Sequence, residues 1–431
     1  MKFFLILIIF LFNFSLKTSA KDLIFFLESS FKNNPKLNAQ RKNLEAVKEN
    51  INISRSEFLP SVSLSGDIKS SESSNRTNQS GGTLNDTSIN SESKTISVDQ
   101  KIFKGFKGYN SFKMSKLEVN QENLKLLEAE QEVMLNSVNA YYDLIYKYKS
   151  RKFNLENVDL FERQVESDST RMQKGEITLT DLAQSESSLA AAKASFISSK
   201  TELLSAKANF ERITSATAPE TDNSNLDVDI NLPKNLSEVL ALSEKNSPKL
   251  LIAQLEYEIS KKKVNIEKSH LSPSASINYS KTENHDFSST IDDVDEETVK
   301  ATITWPIIKG GENYSSLKKA KFKRDRSNLL LENTQNEVKT NTINAWSAYQ
   351  AAFSVFEATK AQVRAAEIAN EGITLEYDSG NTRTTLDVIQ SRSLLLNAKI
   401  DNAKAERDYI TSKFKLLEVV GKLTLANIKK S

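Results

Sequence analysis

Few residues in this sequence are equipped for covalent or metal chemistry. It has two histidines, His270 and His285, and no cysteine. That removes thiol chemistry, zinc–thiolate sites and most histidine-based catalysis. Both histidines flank a run that reads as a strand, where a polar loop side chain ordinarily lies at the surface. No Ser–His–Asp set or cluster of metal ligands stands out. The stretch Gly105 to Gly108 lacks the Lys-Ser/Thr ending of a phosphate loop. No enzyme activity, cofactor or metal is expected. The polar residues that draw notice lie near two glycines, Gly175 and Gly380. Thr180 and Asp181 follow the first, and Arg383, Thr385 and Asp387 follow the second. Asp181 and Asp387 fit helix starts, where carboxylates stabilise free N-terminal amides, and Thr180 and Thr385 would serve equally well as caps. Carboxylates gathered from several chains near one axis would instead attract cations and set pore selectivity.

The elements that must position these residues are long. The 431 residues include 11 glycines and 7 prolines, far below the average usage of about 7 % and 5 %. Lys and Arg total 58 against 56 Asp and Glu, which argues against a nucleic-acid partner. Residues 1–20 read as a signal peptide: Lys2 is followed by the apolar run Phe3 to Phe12, and Thr18-Ser19-Ala20 supplies small residues for cleavage. Elsewhere no apolar run approaches the ~18 residues of a spanning helix.

The sequence is internally duplicated. Pro35-Lys36-Leu37 recurs as Pro248-Lys249-Leu250, and Pro60-Ser61 as Pro273-Ser274, at one offset of 213 residues (248 − 35). Lys104-Gly105 recurs as Lys309-Gly310, Asn139-Ala140-Tyr141 as Asn344-Ala345-Trp346, and Gly175 as Gly380, at an offset of 205 (380 − 175). The change of offset places a shorter loop in the second copy. Such a repeat is read before the fold is assigned.

Each copy has a helix, two strands joined by a loop, and two long helices joined at a glycine. Between Gly108 and Gly175 there is neither Gly nor Pro. Leu117, Leu124, Val138 and Ile145 lie on one seven-residue ladder, and Leu127, Met134, Tyr141 and Tyr148 on another. That is a seam demanding partner helices. A helix of roughly 60 residues would reach ~90 Å, a rod or a tunnel wall. In the strands, Val62, Leu64, Gly66 and Ile68 alternate with Ser61, Ser63, Ser65 and Asp67. Val299, Ala301, Ile303, Trp305 and Ile307 alternate with Lys300, Thr302 and Thr304. The alternation suits a membrane barrel, and equally a half-buried soluble strand. The Ser-, Asn- and Gly-rich residues 69–92 suit an extracellular barrel loop. Asp99, Lys101 and Lys300 would face a lumen or simply a solvated strand face, and Tyr279 and Trp305 fit an interfacial girdle. Four strands cannot close a channel, and an open edge in lipid is not viable. The membrane reading therefore requires strands shared among subunits, twelve in a trimer.

With this layout the chain resembles the TolC-like outer-membrane efflux and secretion channels. The most specific stretch runs from Tyr377-Asp378-Ser379-Gly380 through Thr382-Arg383 to Asp387-Val388, with Gly175 and Thr180-Asp181-Leu182 as its first-copy counterpart. The resemblance implies a mostly α protein with membrane β: long antiparallel helical hairpins forming a helical barrel in the periplasm, plus four strands per chain in a trimeric twelve-stranded β-barrel. It implies a periplasmic gate in which Thr180 and Asp181 bond to Tyr377 and Arg383. Asp387 fits an acidic selectivity ring. A second acidic position falls on Gln390, and Asn381 lengthens the second turn. The implied partners are two further copies, a periplasmic adaptor docking at the tips near Gly175 and Gly380, an inner-membrane transporter, and outer-membrane lipid.

The expected boundaries follow. Residues 21–215 form the first repeat, with strands over about 58–68 and 95–103 and a hairpin over about 109–215. Residues 216–235 are a linker marked by Pro219 and Pro233. Residues 236–421 form the second repeat, with strands over about 273–281 and 297–308 and a hairpin over about 312–420, before a tail at 422–431. The expected function is a passive exit duct for drugs or polypeptides, in a tripartite efflux pump or a type I secretion system. The alternative is a secreted or surface-anchored trimeric coiled-coil adhesin, which explains the heptads but not the paired strands.

Overall fold

The structure, a computed structural model, describes residues 23–220, 230–379 and 383–428. The expected signal peptide, most of the linker, and Gly380, Asn381 and Thr382 lie outside the described residues. The elements are α1 (Leu23–Asn33), α2 (Pro35–Ser56), β1 (Ser61–Ser73), β2 (Thr87–Lys104), α3 (Lys107–Gln173) and α4 (Leu179–Thr214) in the first repeat. The second has α5 (Leu236–Asn246), α6 (Pro248–Ser269), β3 (Ser274–His285), β4 (Val294–Thr304), α7 (Glu312–Asp378), α8 (Thr385–Val419) and a short α9 (Leu425–Ile428).

Where one opening helix was expected per repeat, there are two. Pro35 and Pro248 each begin the second, because proline lacks an amide hydrogen and suits only the first helical turn. Asn34 covers the break by accepting from the Lys36 amide at 3.0 Å. β1 begins only at Ser61 and β4 ends at Thr304, short of the expected 58 and 308, whereas at the loop ends the strands of both β-hairpins extend beyond the expected bounds, to Ser73 and Thr87 in one and to His285 and Val294 in the other. Polar Ser, Thr and Asn residues continue the ladder there although the apolar alternation has stopped.

The residues divide into two compact units. One holds Lys42–Leu124 and Leu251–Thr334, and includes the whole sheet. Its strand order is β1-β2-β3-β4, every neighbour antiparallel. Register separates the two faces. Val62, Val98, Tyr279 and Val299 form one row, and Ser61, Asp99, Asn278 and Lys300 the next. In the polar row Asn278 donates to Asp99 at 2.9 Å. In this single chain the apolar residues are open: Val62 is 70 % exposed and Ile303 78 %. Trp305 follows β4 and its Nε1 donates to the Leu271 carbonyl at 3.1 Å, leaving its ring outward. Gly105, with φ of +58°, turns the chain from β2 into α3. A Cβ there would sit 2.6 Å from the Ser269 carbonyl oxygen, so only glycine fits.

The other unit holds the residues up to Arg41, Lys125–Leu250 and the residues from Gln335 onward. Its core joins Phe26, Leu27, Met134, Val138, Tyr141, Tyr142, Phe210 and Phe414. Each such side chain contributes roughly 1.5–3 kcal/mol on burial. Both expected ladders of α3 enter it through Met134, Val138, Tyr141, Ile145 and Tyr148. The duplication shows as duplicated contacts. Ser30 meets Ser137 at 2.6 Å and Ser243 meets Thr342 at 3.0 Å. Lys36 pairs with Glu132 at 2.6 Å and Lys249 with Glu337 at 2.7 Å. The expected C-terminal tail is partly core: Leu423 and Ile428 are buried beside Phe26 and Tyr141.

Candidate functional site

The site comprises the two turns that close the helical hairpins, together with the last layer of side chains above them. In the first turn Gly175 takes φ of +79°, the left-handed conformation that ends a helix. The Gly175 amide bonds to Met172 and the Glu176 amide to Arg171, both at 2.9 Å. Helix α4 then opens with a capping box. The Thr178 hydroxyl accepts from the Asp181 amide at 3.3 Å, and Asp181 Oδ2 accepts from the Thr178 amide at 3.0 Å and hydroxyl at 2.7 Å. Helix α8 opens in the same way. Asp387 Oδ2 accepts from the Thr384 amide at 2.8 Å and hydroxyl at 3.0 Å, and Thr384 accepts from the Asp387 amide at 3.3 Å. The caps are thus Thr178 and Thr384, not Thr180 and Thr385, with each aspartate three residues on as a capping box requires. The Thr178 hydroxyl holds Asp181 below its ordinary value, and the Thr384 amide does the same for Asp387.

Each turn also carries one ion pair, of opposite polarity. Arg171 at the end of α3 reaches Glu176 at 3.2 Å, and Glu376 at the end of α7 reaches Arg383 at 2.7 Å. Arg171 and Glu376 are repeat counterparts at the 205-residue offset (376 − 171). Within the chain, Arg383 therefore bonds Glu376 and not Asp181. Its charge is spent on the nearest carboxylate, while Asp181 is engaged by its own cap.

Tyr377 is placed where the sequence puts it, but with another partner. It is buried, and its hydroxyl donates to Asp168 Oδ1 at 2.7 Å and meets the Thr385 hydroxyl at 3.0 Å. Burial, reinforced by the Asp168 carboxylate, pushes the phenol above its ordinary value, so it stays a donor. Arg171 stacks over its ring at 4.4 Å. Asp168 is 0 % exposed. It also accepts from Gln164 Nε2 at 2.9 Å and from Ser185 Oγ at 2.5 Å. Leu179, Thr180 and Gln390 are exposed and Gly175 makes the turn. Sequence reasoning missed Asp168, Gln164, Ser185 and Glu376.

Comparison with known proteins settles the family. The outer membrane efflux protein model matches residues 26–216 and 239–422. The chain belongs to that family. Among curated relatives, the outer membrane efflux protein BepC of Brucella suis is 24 % identical over 407 residues, covering 92 % of this chain and 85 % of that one. The outer membrane protein TolC of Escherichia coli is 22 % identical, covering 95 % and 84 %. Among solved structures, the CmeC outer membrane channel of Campylobacter jejuni superposes with a TM-score of 0.80 at 17 % identity, covering 95 % of this chain and 88 % of that one. VceC of Vibrio cholerae superposes at 0.77 and 17 % identity, covering 93 % and 96 %.

The protein is thus an outer-membrane efflux channel with the TolC-type fold: a mostly helical chain with four antiparallel strands, placed in the outer membrane with its helical part in the periplasm. Family members are channels and not enzymes. The open edges of β1 and β4 agree, since lipid leaves unpaired backbone groups without partners.

Proposed function

We propose that the chain is the passive exit duct of a tripartite efflux pump or a type I secretion system, carrying drugs or polypeptides across the periplasm and outer membrane. The observation that carries this reading is the sheet. Its apolar residues line one face and its polar residues the other, the pattern of a lipid-facing barrel with a wet interior. Three copies of four strands give the twelve needed for a lumen.

The duct does no chemistry, so energy and opening come from an inner-membrane transporter and a periplasmic adaptor. The turns around Gly175 and Gly380 are the docking points. The gate is built from Thr180, Asp181, Tyr377 and Arg383. A bond between Asp181 and Arg383 joins neighbouring copies in this reading, because within the chain Arg383 is held by Glu376. Asp387 supplies an acidic ring and gives the pore cation preference. Gln390 leaves the next ring neutral.

Photo-crosslinkers at Lys174 and Ser379, beside the two turns, test the docking in cells. An adduct of adaptor mass supports the reading, and no adduct from any turn position contradicts it.

A further inference from the structure

Basic charge is concentrated at one place in the unit that holds the sheet. Residues 318–326, in the early turns of α7, include six Lys or Arg and one acid, in a chain whose net charge is only +2. The counterpart run in the first repeat, residues 113–121 at the 205-residue offset (318 − 113), has two basic residues and one acid. Among the described residues, only Arg324 of the six pairs with a carboxylate, that of Asp325 at 2.6 Å. The β3–β4 turn, at the other end of the strands, is acidic through Asp292, Asp293, Asp295 and Glu296. The basic run belongs to the helical end of the sheet.

The charges are presented on one side of the helix. Leu317 and Ala320 are buried against Val264 of α6. Lys318, Lys319, Phe322, Lys323 and Arg326 are exposed and line a shallow recess with Ser315. On an α-helix these positions fall opposite Leu317 and Ala320. The Lys318 ammonium stands over the Phe322 ring at 5.9 Å. Helix α7 starts at Glu312, shortly after Trp305, Ile307 and Ile308, all exposed. Lys318 and Lys319 therefore lie about 9–11 Å along the axis from the first residue of α7. A headgroup layer is about 5–8 Å deep on each side of a bilayer core. Helical side chains tilt toward the N-terminus of their helix. The N-terminus of α7 adjoins the sheet, so the lysine stems lean back toward the membrane edge and carry their ammonium groups with them.

We propose that this basic face of α7, centred on Lys318, Lys319 and Lys323, is a docking surface for the anionic phospholipid headgroups of the periplasmic leaflet. Each exposed cation beside an anionic surface adds a modest attraction, and several on one face add up. The contact reaches about one Debye length, roughly 8 Å at physiological salt, so it fixes the depth at which the strands sit and weakens as salt rises. It rests on the sheet facing lipid, and needs neither the gate nor the adaptor.

The test uses the full-length channel in nanodiscs of phosphatidylethanolamine mixed with either phosphatidylglycerol or phosphatidylcholine, at low and high salt. Lipid retained through detergent extraction is counted by mass spectrometry. Thermal melting, subunit mass and ion preference in planar bilayers are followed alongside. The variants are the triple Lys318→Gln, Lys319→Gln, Lys323→Gln, the single Lys319→Gln, and Lys360→Gln as an equal change of charge farther along α7. Wild type should retain phosphatidylglycerol severalfold over phosphatidylcholine and melt higher with it. The triple variant should lose both differences, Lys319→Gln part of them, and Lys360→Gln neither. High salt should abolish the wild-type preference. Lys319→Gln decides the matter if the triple variant folds poorly. A wild type indifferent to lipid charge, or a triple variant that keeps the preference, would overturn the docking surface. In the second case altered ion preference would put the lysines in the lumen, and a lost trimer would put them against another copy. A wild type that stays in water without detergent would remove the membrane reading beneath it.

Discussion

The two hairpins descend from one duplicated unit and are packed differently. The first carries a hydrocarbon layer beside its polar α3–α4 contacts: Val158 and Phe161 of α3 meet Ala192 of α4, with Leu189 and Phe196 alongside. The second is closed in part by polar contacts. Ser391 donates to Asn370 at 3.1 Å, Asn402 donates to Thr359 at 3.1 Å, and the buried hydroxyl of Thr374 has no partner among the described residues. Higher up, Tyr141 and Tyr148 of the first repeat are buried, while their counterparts Trp346 and Phe353 are partly open, Phe353 at 47 %. Apolar packing resists partial opening, and polar pairs can exchange partners with water. The first hairpin suits a fixed wall and the second suits a moving part.

That contrast can be broken at several places. The largest effect is expected from Leu204→Asp. Leu204 on α4 is 68 % exposed in the single chain, and its repeat counterpart Ile410 is buried. Another copy should cover Leu204 in the assembly, so a charge there should abolish the trimer. Light scattering in detergent reads this directly, and an intact trimer would place that face in water. Next, Phe161→Ala should cost about 3–5 kcal/mol. Hydrogen exchange should show the loss in α3 and α4, whereas Asn370→Ala should cost only about 1 kcal/mol, confined to α7 and α8. Equal losses would erase the difference between the hairpins.

Thr374→Val has the opposite sign. Replacing an unpartnered buried hydroxyl with a methyl should stabilise the second hairpin by about 1 kcal/mol and reduce mean channel current. Removing either cap, by Thr178→Ala or Thr384→Ala, should cost about 1 kcal/mol, equally in the two hairpins. Because Asp181 and Asp387 are held below the ordinary carboxylate value, their cap bonds contribute fully above about pH 4. That contribution is lost as the pH falls through their lower folded values. Exchange of the first-turn amides of α4 and α8, compared with mid-helix amides, should show the caps fraying only in that acid range. The smallest effect on hairpin stability is expected from Arg383→Ala, because an exposed ion pair contributes little.

Much of the fold was legible in the sequence because it is periodic. The absence of Gly and Pro from Gly108 to Gly175 reads directly as α3, and the alternation at Val62–Ile68 reads as the exposed face of β1. Strand ends were less legible, because Ser and Thr pair across a ladder without alternating in polarity. The site was legible in its turns but not in the contact between Asp168 and Tyr377. The seven-residue ladders continued from Ile145 and Tyr148 would pass through residues 152, 155, 159 and 162. The buried stripe instead shifts to Ser150, Asn154, Asn157, Phe161, Gln164 and Asp168. An unsupercoiled helix drifts against a seven-residue repeat, and Asp168 falls where that drift matters. The pairing of Arg383 was hidden for another reason: Glu376, its partner, is seven residues away in sequence and has no signature.

The most direct measurement of the central claim is planar-bilayer conductance of the detergent-purified protein, with its mass taken by light scattering from the same preparation. A trimer of the mature chain, with a small cation-preferring conductance, is the predicted result. A water-soluble species that never conducts would contradict it.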